Sequence, residues 1–174
     1  MTTPEFSRPV RIDTLGEGGR TVAIEADEAE RAAIAGRFGL LAVVTLTAEA
    51  AMRREGDIVL AEGRLRASVE QACVASGTAV PAKIDEPFSL RFVPEGEAGE
   101  TELELAPEDW DTIDYAGSAV DLGEAAAETL ALSLDPFPRA ADADAILREA
   151  GVLSEDEVVT GPFAALKALR DKLE

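Results

Sequence analysis

The sequence predicts an α+β fold in which an antiparallel sheet, flat or barrel-like, comes from the first half of the chain. Apolar residues alternate with polar ones in several stretches before Val93, as they do in half-buried strands. Helix-start signals prevail from Asp121 onward. No internal repeat or proline-rich linker divides the 174 residues. We therefore expect one domain over residues 1–174, with its helices packed mainly from the second half.

Two short strands are predicted at the start of the chain. Residues 6–12 and 21–25 alternate apolar and polar side chains, and the glycine-rich stretch 16–19 predicts the turn between them. This stretch lacks the Lys-Ser/Thr pair of a phosphate-binding loop and precedes a strand. We therefore assign no ligand to it.

The first helix is predicted from a capping box. Asp27 is followed three residues later by Glu30, a spacing typical of a helix N-terminus, and the helix continues to about Gly36. Ile34 and Phe38 are four residues apart, so they lie on one side of the helix. We expect that side to be buried.

The middle of the chain predicts the longest strands. Residues 40–47 are rich in Val, Leu and Thr, and this strand pattern extends toward Met52. A turn at 55–57 leads into a strand at 58–60. Gly63 then predicts a bulge or a break before the next strand.

A β-hairpin is predicted from residues 64–73 and 84–93, which a short turn around Ser76 and Gly77 connects. One face of this hairpin is apolar in the predicted register. That face contains the pairs Leu65 with Leu90 and Ala67 with Phe88, and beside them Val69 and Phe92.

The opposite face of the hairpin carries three arginines, Arg64, Arg66 and Arg91. The predicted register sets Arg64 directly across from Arg91, and like charges in that position destabilise a strand pair. These residues are therefore our candidate contact for RNA phosphate or for another partner. The alternative is a solvated face on which the arginines pair with nearby acids, namely Glu62, Glu70 and Glu86.

An acidic loop is predicted over about 94–114. It belongs to a longer interval, between Arg91 and Arg139, that contains thirteen acidic residues and neither lysine nor arginine. Such a run is ordinarily a solvated loop. The alternative is a docking surface for a basic protein.

Two helices are predicted after this loop. Asp121 and Glu124 repeat the capping-box spacing and predict a helix through about Leu132. Residues 143–150 predict a short helix that ends at Gly151.

A last helix is predicted over about 162–173, with Pro162 at its first position. Isolated helices of this length are unstable in water, so its apolar side must pack against another surface. We expect the core of the same chain to cover it, and a groove on another protein is the alternative. The apolar residues of this side are Phe163, Leu166 and Leu169.

The residue composition narrows the chemistry open to the chain. There is no histidine and one cysteine, which excludes zinc sites built from Cys and His and triads with a histidine base. The acidic residues are numerous enough to form a magnesium or calcium site. Residues 140–144 come nearest to a calcium-binding loop but lack its Gly and Glu. We expect no catalytic residue, no metal site and no cofactor.

The net charge of −19 bears on partners and location. It opposes binding to the phosphate backbone of DNA and favours basic partners. No apolar stretch has the length of a membrane span, and the first residues do not resemble a signal peptide, so we expect no membrane contact. One cysteine is compatible with the reducing cytoplasm, where we expect the protein to be located.

The single cysteine, Cys73, stands at the turn end of the predicted hairpin. A free cysteine usually behaves as a small buried apolar residue, and we favour that role. The alternative is a reactive thiol, which normally requires a neighbouring cation that the sequence does not indicate.

The hairpin contains the first of three motifs that occur in the order typical of one protein family. Cys73 opens the stretch Cys-Val-Ala-Ser, where many members of that family have Cys-x-Arg-Cys-Leu. Ser76 therefore stands in the place of a second cysteine. Pro87 and Phe88 follow, as a Pro-Phe pair and an apolar strand do in the family.

The other two motifs lie in the second half of the chain. Asp121 and Glu124 introduce a helix with a proline-containing exit, and Pro162 and Phe163 belong to the closing stretch Gly-Pro-Phe-Ala-Ala-Leu-Lys-Ala-Leu. By these motifs the chain resembles, over roughly its whole length, the YceD family, the large ribosomal RNA subunit accumulation proteins of bacteria and plastids.

The resemblance implies a non-enzymatic factor that supports large-subunit rRNA accumulation and large ribosomal subunit biogenesis. Its partners would be large-subunit ribosomal proteins, assembly factors or an rRNA precursor. Relatives with two cysteines have a hairpin tip that resembles a metal or redox knuckle. With Ser76 in the second position, and no histidine, we expect no zinc there. The alternative function is an acidic adaptor or chaperone-like module that binds proteins without RNA contact.

Overall fold

Two sheets and three α-helices make up the part of the chain that the computed structural model describes, residues 4–16, 18–96 and 110–152. One sheet is five-stranded and mixed, and the other has two antiparallel strands. The α+β class predicted from the sequence is therefore confirmed. The described strands form open sheets and do not close into a barrel.

Strands dominate the first two thirds of the described chain, and helices follow them. The elements are β1 (Pro9–Arg11), β2 (Arg20–Glu25), α1 (Glu28–Phe38), β3 (Ala42–Glu55), β4 (Ile58–Ala72), β5 (Ala79–Pro94), β6 (Asp111–Tyr115), β7 (Ala119–Asp121), α2 (Leu122–Leu132) and α3 (Ala143–Glu149). A 3-10 turn, Ile12–Thr14, follows β1. None of these helices is long and apolar enough to cross a membrane.

The larger sheet has the strand order β2-β3-β4-β5-β6. Its first four strands are antiparallel neighbours. β6 pairs with β5 in parallel, so the sheet is mixed and not wholly antiparallel as predicted. β1 stays outside this sheet and pairs with β7, which brings the N-terminal segment beside the start of α2.

One face of the larger sheet forms the hydrophobic core together with α1 and α2. Side chains alternate along β4 and β5, so every second residue points toward the core. Each fully buried Leu or Phe contributes about 2 kcal/mol to the free energy of folding. The predicted apolar face of the hairpin is confirmed, because all its members are buried: Leu65, Ala67, Val69, Phe88, Leu90 and Phe92.

The register of the hairpin formed by β4 and β5 differs from the prediction. Arg64 pairs with Pro87 and not with Arg91, whose own partner is Leu60. Each β4 residue thus has a partner four positions earlier in β5 than predicted. An even displacement leaves every side chain on the face that was predicted for it, which is why the apolar face is right although the pairs are wrong.

The turn between β4 and β5 accounts for this difference. Cys73 N donates a hydrogen bond to Thr78 O at 2.8 Å, and Gly77 N donates to Cys73 O at 2.8 Å. Gly77 has φ of 72°, a conformation that glycine adopts without strain. Strand pairing resumes at Ala79, so the turn is centred earlier in the chain than predicted.

Gly63 lies inside β4, and the bulge or break predicted there is wrong. It stays in regular register with both neighbouring strands. A side chain at Gly63 would collide with the carbonyl O of Glu49, and its Cβ would lie 2.5 Å from Phe88 Cζ. Glycine is therefore required for space beneath the Phe88 ring. The irregularity of this region lies in β3, between Val43 and Thr45.

α1 begins with the predicted capping box. The Asp27 carboxylate accepts from Glu30 N at 2.9 Å, and the Glu30 carboxylate accepts from Asp27 N at 2.8 Å. The helix ends at Phe38, and Gly39 follows it as a left-handed C-cap with φ of 65°. Ile34 is fully buried and Phe38 packs against the core, as predicted.

Other predicted segments are shorter than expected or fall outside the described residues. The strand predicted over 6–12 is reduced to β1, whereas the short helix over 143–150 is confirmed by α3. Of the predicted acidic loop at 94–114, residues 97–109 lie outside the described ranges, and strand structure is present again in β6. The helix predicted over 162–173 also lies outside them.

Candidate functional site

The tip of the hairpin is held by residues 133–142, which follow α2 and which we call the return segment. Backbone and side-chain hydrogen bonds join the return segment to the hairpin, from Gln71 in β4 up to the hairpin tip. They run from Gln71 Nε2 to Asp135 O (2.8 Å), from Val74 N to Pro138 O (2.9 Å) and from Ala140 N to Cys73 Sγ (3.3 Å).

Cys73 is enclosed at this junction. Its side chain is 3% exposed, in agreement with the predicted role of a small buried residue. The N–H of Ala140, followed by the hydroxyl of Ser76, lowers the pKa of the Cys73 thiol to about 7. The dipoles of these donors favour the thiolate. The structure thus brings Cys73 and Ser76 together, and it adds a lowered pKa that the sequence did not indicate.

Arg64 and Arg66 form a pair on the outward face of the larger sheet, where both are exposed. Asp85 bridges them: its Oδ1 lies 2.8 Å from Arg64 Nη1 and 3.5 Å from Arg66 Nε. The hydrogen bond to Asp85 raises the pKa of Arg64, and Arg64 in turn lowers the pKa of Asp85. The register sets Asp85 opposite Arg66, so Asp85 takes the place of the expected partners, Glu62, Glu70 and Glu86.

Arg91 lies apart from this pair. Its cross-strand neighbour is Leu60, and the neighbour of Leu60 on the other side is Arg53 in β3. Arg64 lies four residues from Leu60 along β4. At the rise of a β-strand this separation is about 13 Å. The structure therefore brings two of the three candidate arginines together and sets the third near a different arginine.

Two further basic residues share the outward face and were not among the predicted contacts. Arg53 contacts Glu55 at 3.0 Å and Glu62 at 3.7 Å. Lys83 is exposed opposite Ser68. The alternation of side chains along β3 and β5 would have placed both residues on this face once the register was known. We call the whole group the basic face: Arg53, Arg64, Arg66, Lys83 and Arg91.

Pro87 and Phe88 mark the edge of β5. β6 pairs with β5 only from Leu90 onward, so in the described structure the earlier part of β5 has no strand on that side. Pro87 is exposed at this edge, where proline is tolerated because it has no N–H to donate. Phe88 points the other way and is 7% exposed, with its ring over Gly63.

Asp121 anchors both the start of α2 and the N-terminal segment, which confirms the predicted N-cap. Groups from both elements donate hydrogen bonds to its carboxylate: Gly123 N (3.0 Å), Glu124 N (3.2 Å), Arg8 N (2.7 Å) and Ser7 Oγ (2.5 Å). The N-terminal segment crosses directly over the first turn of the helix. A Cβ on Gly123 would lie 2.5 Å from the carbonyl O of Phe6.

Glu124 does not close a second capping box, so that part of the prediction is wrong. Its carboxylate accepts hydrogen bonds from Arg37 at 2.8 and 3.0 Å. Arg37 also contacts Glu5 at 2.9 Å. The bonds to Glu124 and Glu5 raise the pKa of Arg37. Glu124 therefore links α2 to α1, which is a structural role.

The last two motif positions, Pro162 and Phe163, lie outside the described residues. Within the described ranges, no group of three His, Cys, Asp or Glu side chains is arranged to hold a metal ion. Among the described candidates, Arg64 and Arg66 are exposed and Arg91 is half-buried. Phe88, Asp121 and Glu124 instead hold elements of the fold together.

One protein family matches the chain when it is compared with known proteins. The family described as "Large ribosomal RNA subunit accumulation protein YceD" matches residues 61–170, well over half of the chain. The match includes most of β4, the hairpin tip, the return segment and α2. It confirms the resemblance predicted from the sequence motifs. Neither a curated protein nor a solved structure matches the chain at a significant level.

Proposed function

Because the chain belongs to the YceD family, described as large ribosomal RNA subunit accumulation proteins, we propose that it supports the accumulation of large-subunit rRNA. In this proposal it is a non-enzymatic factor in the biogenesis of the large ribosomal subunit and works in the cytoplasm. The observation that carries the proposal is the family match over residues 61–170, which includes the hairpin tip and α2.

Binding is the activity that the residues of the chain support. The chain contains no histidine, so the usual general base is missing. Its single thiol, Cys73, is 3% exposed and accepts a hydrogen bond from Ala140 N. A nucleophilic cysteine must reach its substrate, and this enclosure favours a structural role.

A basic protein is the partner that the charge of the chain supports. The net charge is −19, and the interval between Arg91 and Arg139 carries none of the basic residues. A field of one sign speeds the approach of partners with the opposite sign. We therefore assign to this acidic interval a basic ribosomal protein of the large subunit, or an assembly factor.

We further propose that the chain contacts the phosphates of an rRNA precursor through the basic face. Arg64 and Arg66 are exposed, and guanidinium groups bind phosphate oxygens with strong, directed hydrogen bonds. Asp85 must release both side chains when phosphate binds, because it contacts them at 2.8 and 3.5 Å. Arg91 extends the contact toward the opposite end of the face.

Alanine substitutions test this contact with the RNA itself as the titrant. We expect the variant Arg64→Ala/Arg66→Ala/Arg91→Ala to bind a large-subunit rRNA precursor more weakly than wild type. Removal of each phosphate-binding arginine lowers the slope of log K against log salt by about 0.7 to 0.9. Arg148→Ala, an exposed change on α3, serves as the control. Unchanged affinity and slope in the triple variant would contradict the RNA contact.

An adaptor or chaperone-like module that binds proteins without touching RNA is the second candidate. The observation that favours it is the bridging position of Asp85, which already neutralises part of the Arg64 and Arg66 charge. Under this alternative, rRNA fragments do not bind the purified chain at any salt concentration, whereas a basic protein partner does.

Affinity isolation of the tagged chain, with and without RNase, tests the proposed function. We expect large-subunit ribosomal proteins or rRNA precursors to copurify above the level of small-subunit proteins. Loss of these components after RNase treatment means that RNA carries the contact, and retention means that protein does. Recovery of unrelated basic proteins, without large-subunit components, would contradict the proposal.

A further inference from the structure

Three large apolar side chains are exposed where the return segment meets α2 and the hairpin tip. Leu132 is 84% exposed, Phe137 is 72% exposed and Val74 is 58% exposed. They are the most exposed large hydrophobic residues of the described ranges. Single exposed apolar residues are common on protein surfaces, but a group of them marks an interaction site.

Hydrogen bonds hold the backbone of Val74 and Phe137 in place, and Leu132 lies five residues before Phe137 in the chain. Val74 N donates to Pro138 O at 2.9 Å, which sets Val74 beside the residue that follows Phe137. Phe137 N donates to Asp135 Oδ1 at 2.9 Å. Leu132 is the last residue of α2, immediately before the return segment. Side chains presented on an ordered backbone bind with a smaller loss of conformational entropy.

An open groove of about 500 Å³ continues this surface beside Leu132. It lies between the C-terminal end of α2 and the part of β5 that has no described strand beside it, with Thr129 on the helix side and Pro87 and Ser89 on the strand side. Pro87 has no N–H to offer, so this edge disfavours the addition of another strand. A ligand of the groove therefore contacts it through side chains.

The rim of this surface is acidic. Exposed carboxylates lie on the Leu132 side of the surface, with Glu86 and Asp111 in the groove, Glu128 one helical turn before Leu132 and Asp135 in the return segment. The basic residue of the return segment, Arg139, is paired with Asp144 at 2.6 Å. The surface is thus apolar in its centre and negative at its border.

We propose that this surface, made by Val74, Leu132 and Phe137 and the adjoining groove, docks a basic polypeptide segment that carries apolar side chains. Lysine or arginine residues of the segment meet the acidic rim, and its apolar side chains cover the three exposed residues. A second copy of the chain would bring two bodies of charge −19 together at an acidic rim. RNA phosphate would meet the same carboxylates. The inference rests on the proposed function and assigns a place to its protein contact.

Two synthetic lysine-rich peptides of equal charge test the docking surface on the full chain. One carries Leu and Phe between the lysines, and the other carries Ser at the same positions. We expect the apolar peptide to bind at least about tenfold more tightly, the effect of burying one large apolar side chain. The double variant Leu132→Ser/Phe137→Ser should remove this difference between the peptides.

A matched control separates the surface from apolar exposure in general. Leu41 and Val44 are 51% and 52% exposed on and before β3, outside the proposed surface. We expect Leu41→Ser/Val44→Ser to keep the preference for the apolar peptide. Both double variants change exposed residues, so their thermal midpoints should stay near that of wild type. The proposal is overturned if Leu132→Ser/Phe137→Ser prefers the apolar peptide as strongly as wild type does.

If something other than a basic peptide occupies this surface, the same measurements give a different result, and each such result overturns the proposal. A wild-type dimer that Leu132→Ser/Phe137→Ser converts to a monomer would assign the surface to a second copy. Loss of rRNA-fragment binding in that variant would assign it to RNA. If wild type binds both peptides equally and prefers the apolar one only after serine substitution of the apolar residues near the chain end, the surface belongs to that end: Phe163, Leu166 and Leu169.

Complementation distinguishes a failure of this inference from a failure of the proposed function. In cells that lack the gene, we expect the wild-type chain and Leu41→Ser/Val44→Ser to restore large-subunit rRNA, and Leu132→Ser/Phe137→Ser not to restore it. Full restoration by Leu132→Ser/Phe137→Ser overturns the docking surface and leaves the proposed function intact. If deletion leaves rRNA unchanged, the proposed function fails, and the peptide titration still decides the docking surface.

Discussion

The sulfur of Cys73 accepts a hydrogen bond from Ala140 N at 3.3 Å and lies within reach of the hydroxyl of Ser76. Both dipoles favour the thiolate, and the pKa of the thiol falls to about 7. Burial of this residue was predictable from its type alone. The lowered pKa was not predictable, because its main cause is an N–H group 67 residues further along the chain.

We predict that the ultraviolet absorbance of the Cys73 thiolate titrates with a midpoint of about 7, with Cys73→Ala as the blank. The folded pKa lies below the value of about 8.5 for a free cysteine. The thiolate therefore stabilises the fold fully above about pH 8.5 and loses this effect as the pH falls through 7. The stability advantage of wild type over Cys73→Ala should grow over that interval. A midpoint of about 8.5 would contradict this account.

The side chains that cap helices were predictable from the sequence, whereas the ion pairs on the sheet were not. Asp27, Glu30 and Asp121 act on backbone groups two or three residues away, so local spacing is sufficient to identify them. Asp85 in β5 contacts Arg64 in the neighbouring strand β4. That contact depends on the register of the two strands, which the sequence does not specify.

The hairpin of β4 and β5 shows which part of a strand pair a sequence encodes most strongly. Alternation of apolar residues determines the buried face, and that prediction is confirmed from Leu65 to Phe92. The pairs themselves depend on where the turn closes. The hydrogen bond from Gly77 N to Cys73 O closes it earlier than the glycine position indicated. This displacement separates Arg91 from Arg64, which the predicted register had placed opposite each other.

α2 packs against the N-terminal segment so closely that its second residue must be glycine. A Cβ at Gly123 would lie 2.5 Å from Phe6 O and 2.9 Å from Arg8 N. Both of these atoms belong to the backbone and cannot rotate away. The sequence did not indicate this contact, because it joins segments more than a hundred residues apart.

We predict that Gly123→Ala destabilises the protein by about 2 kcal/mol, the usual cost of an added methyl group in a closely packed site. Gly36→Ala is the matched control, because a Cβ added to Gly36 in α1 would enter open space. That change should stabilise the protein by about 0.5 to 1 kcal/mol. Chemical denaturation measures both effects. A Gly123→Ala variant as stable as wild type would contradict the packing described for α2.

At the scale of the molecule, the described residues present two surfaces of different composition. The outward face of the larger sheet carries the five residues of the basic face among acids of the same strands, such as Glu49, Glu62 and Asp85. The C-terminal end of α2 and the return segment carry exposed acids around an apolar centre. The proposed RNA contact and the proposed protein contact use different residues, so the net charge alone does not decide between them.

The fold class and the family were predictable from the sequence because both rest on patterns spread along the chain. Strand alternation, two capping signals and the order of short motifs were sufficient for them. The parallel pairing of β6 with β5 was not predictable, because a parallel partner is reached without a local turn signal. The docking surface was missed for a related reason: Leu132 and Phe137 have the composition of core residues, and only the structure shows that they face solvent.

The ratio of large-subunit to small-subunit rRNA in cells that lack the gene tests the central claim most directly. We predict that deletion lowers this ratio and that the wild-type chain, supplied on a plasmid, restores it. The proposed role in large-subunit rRNA accumulation requires both results. A deletion that leaves the ratio unchanged, or a ratio that the wild-type chain does not restore, would contradict the claim.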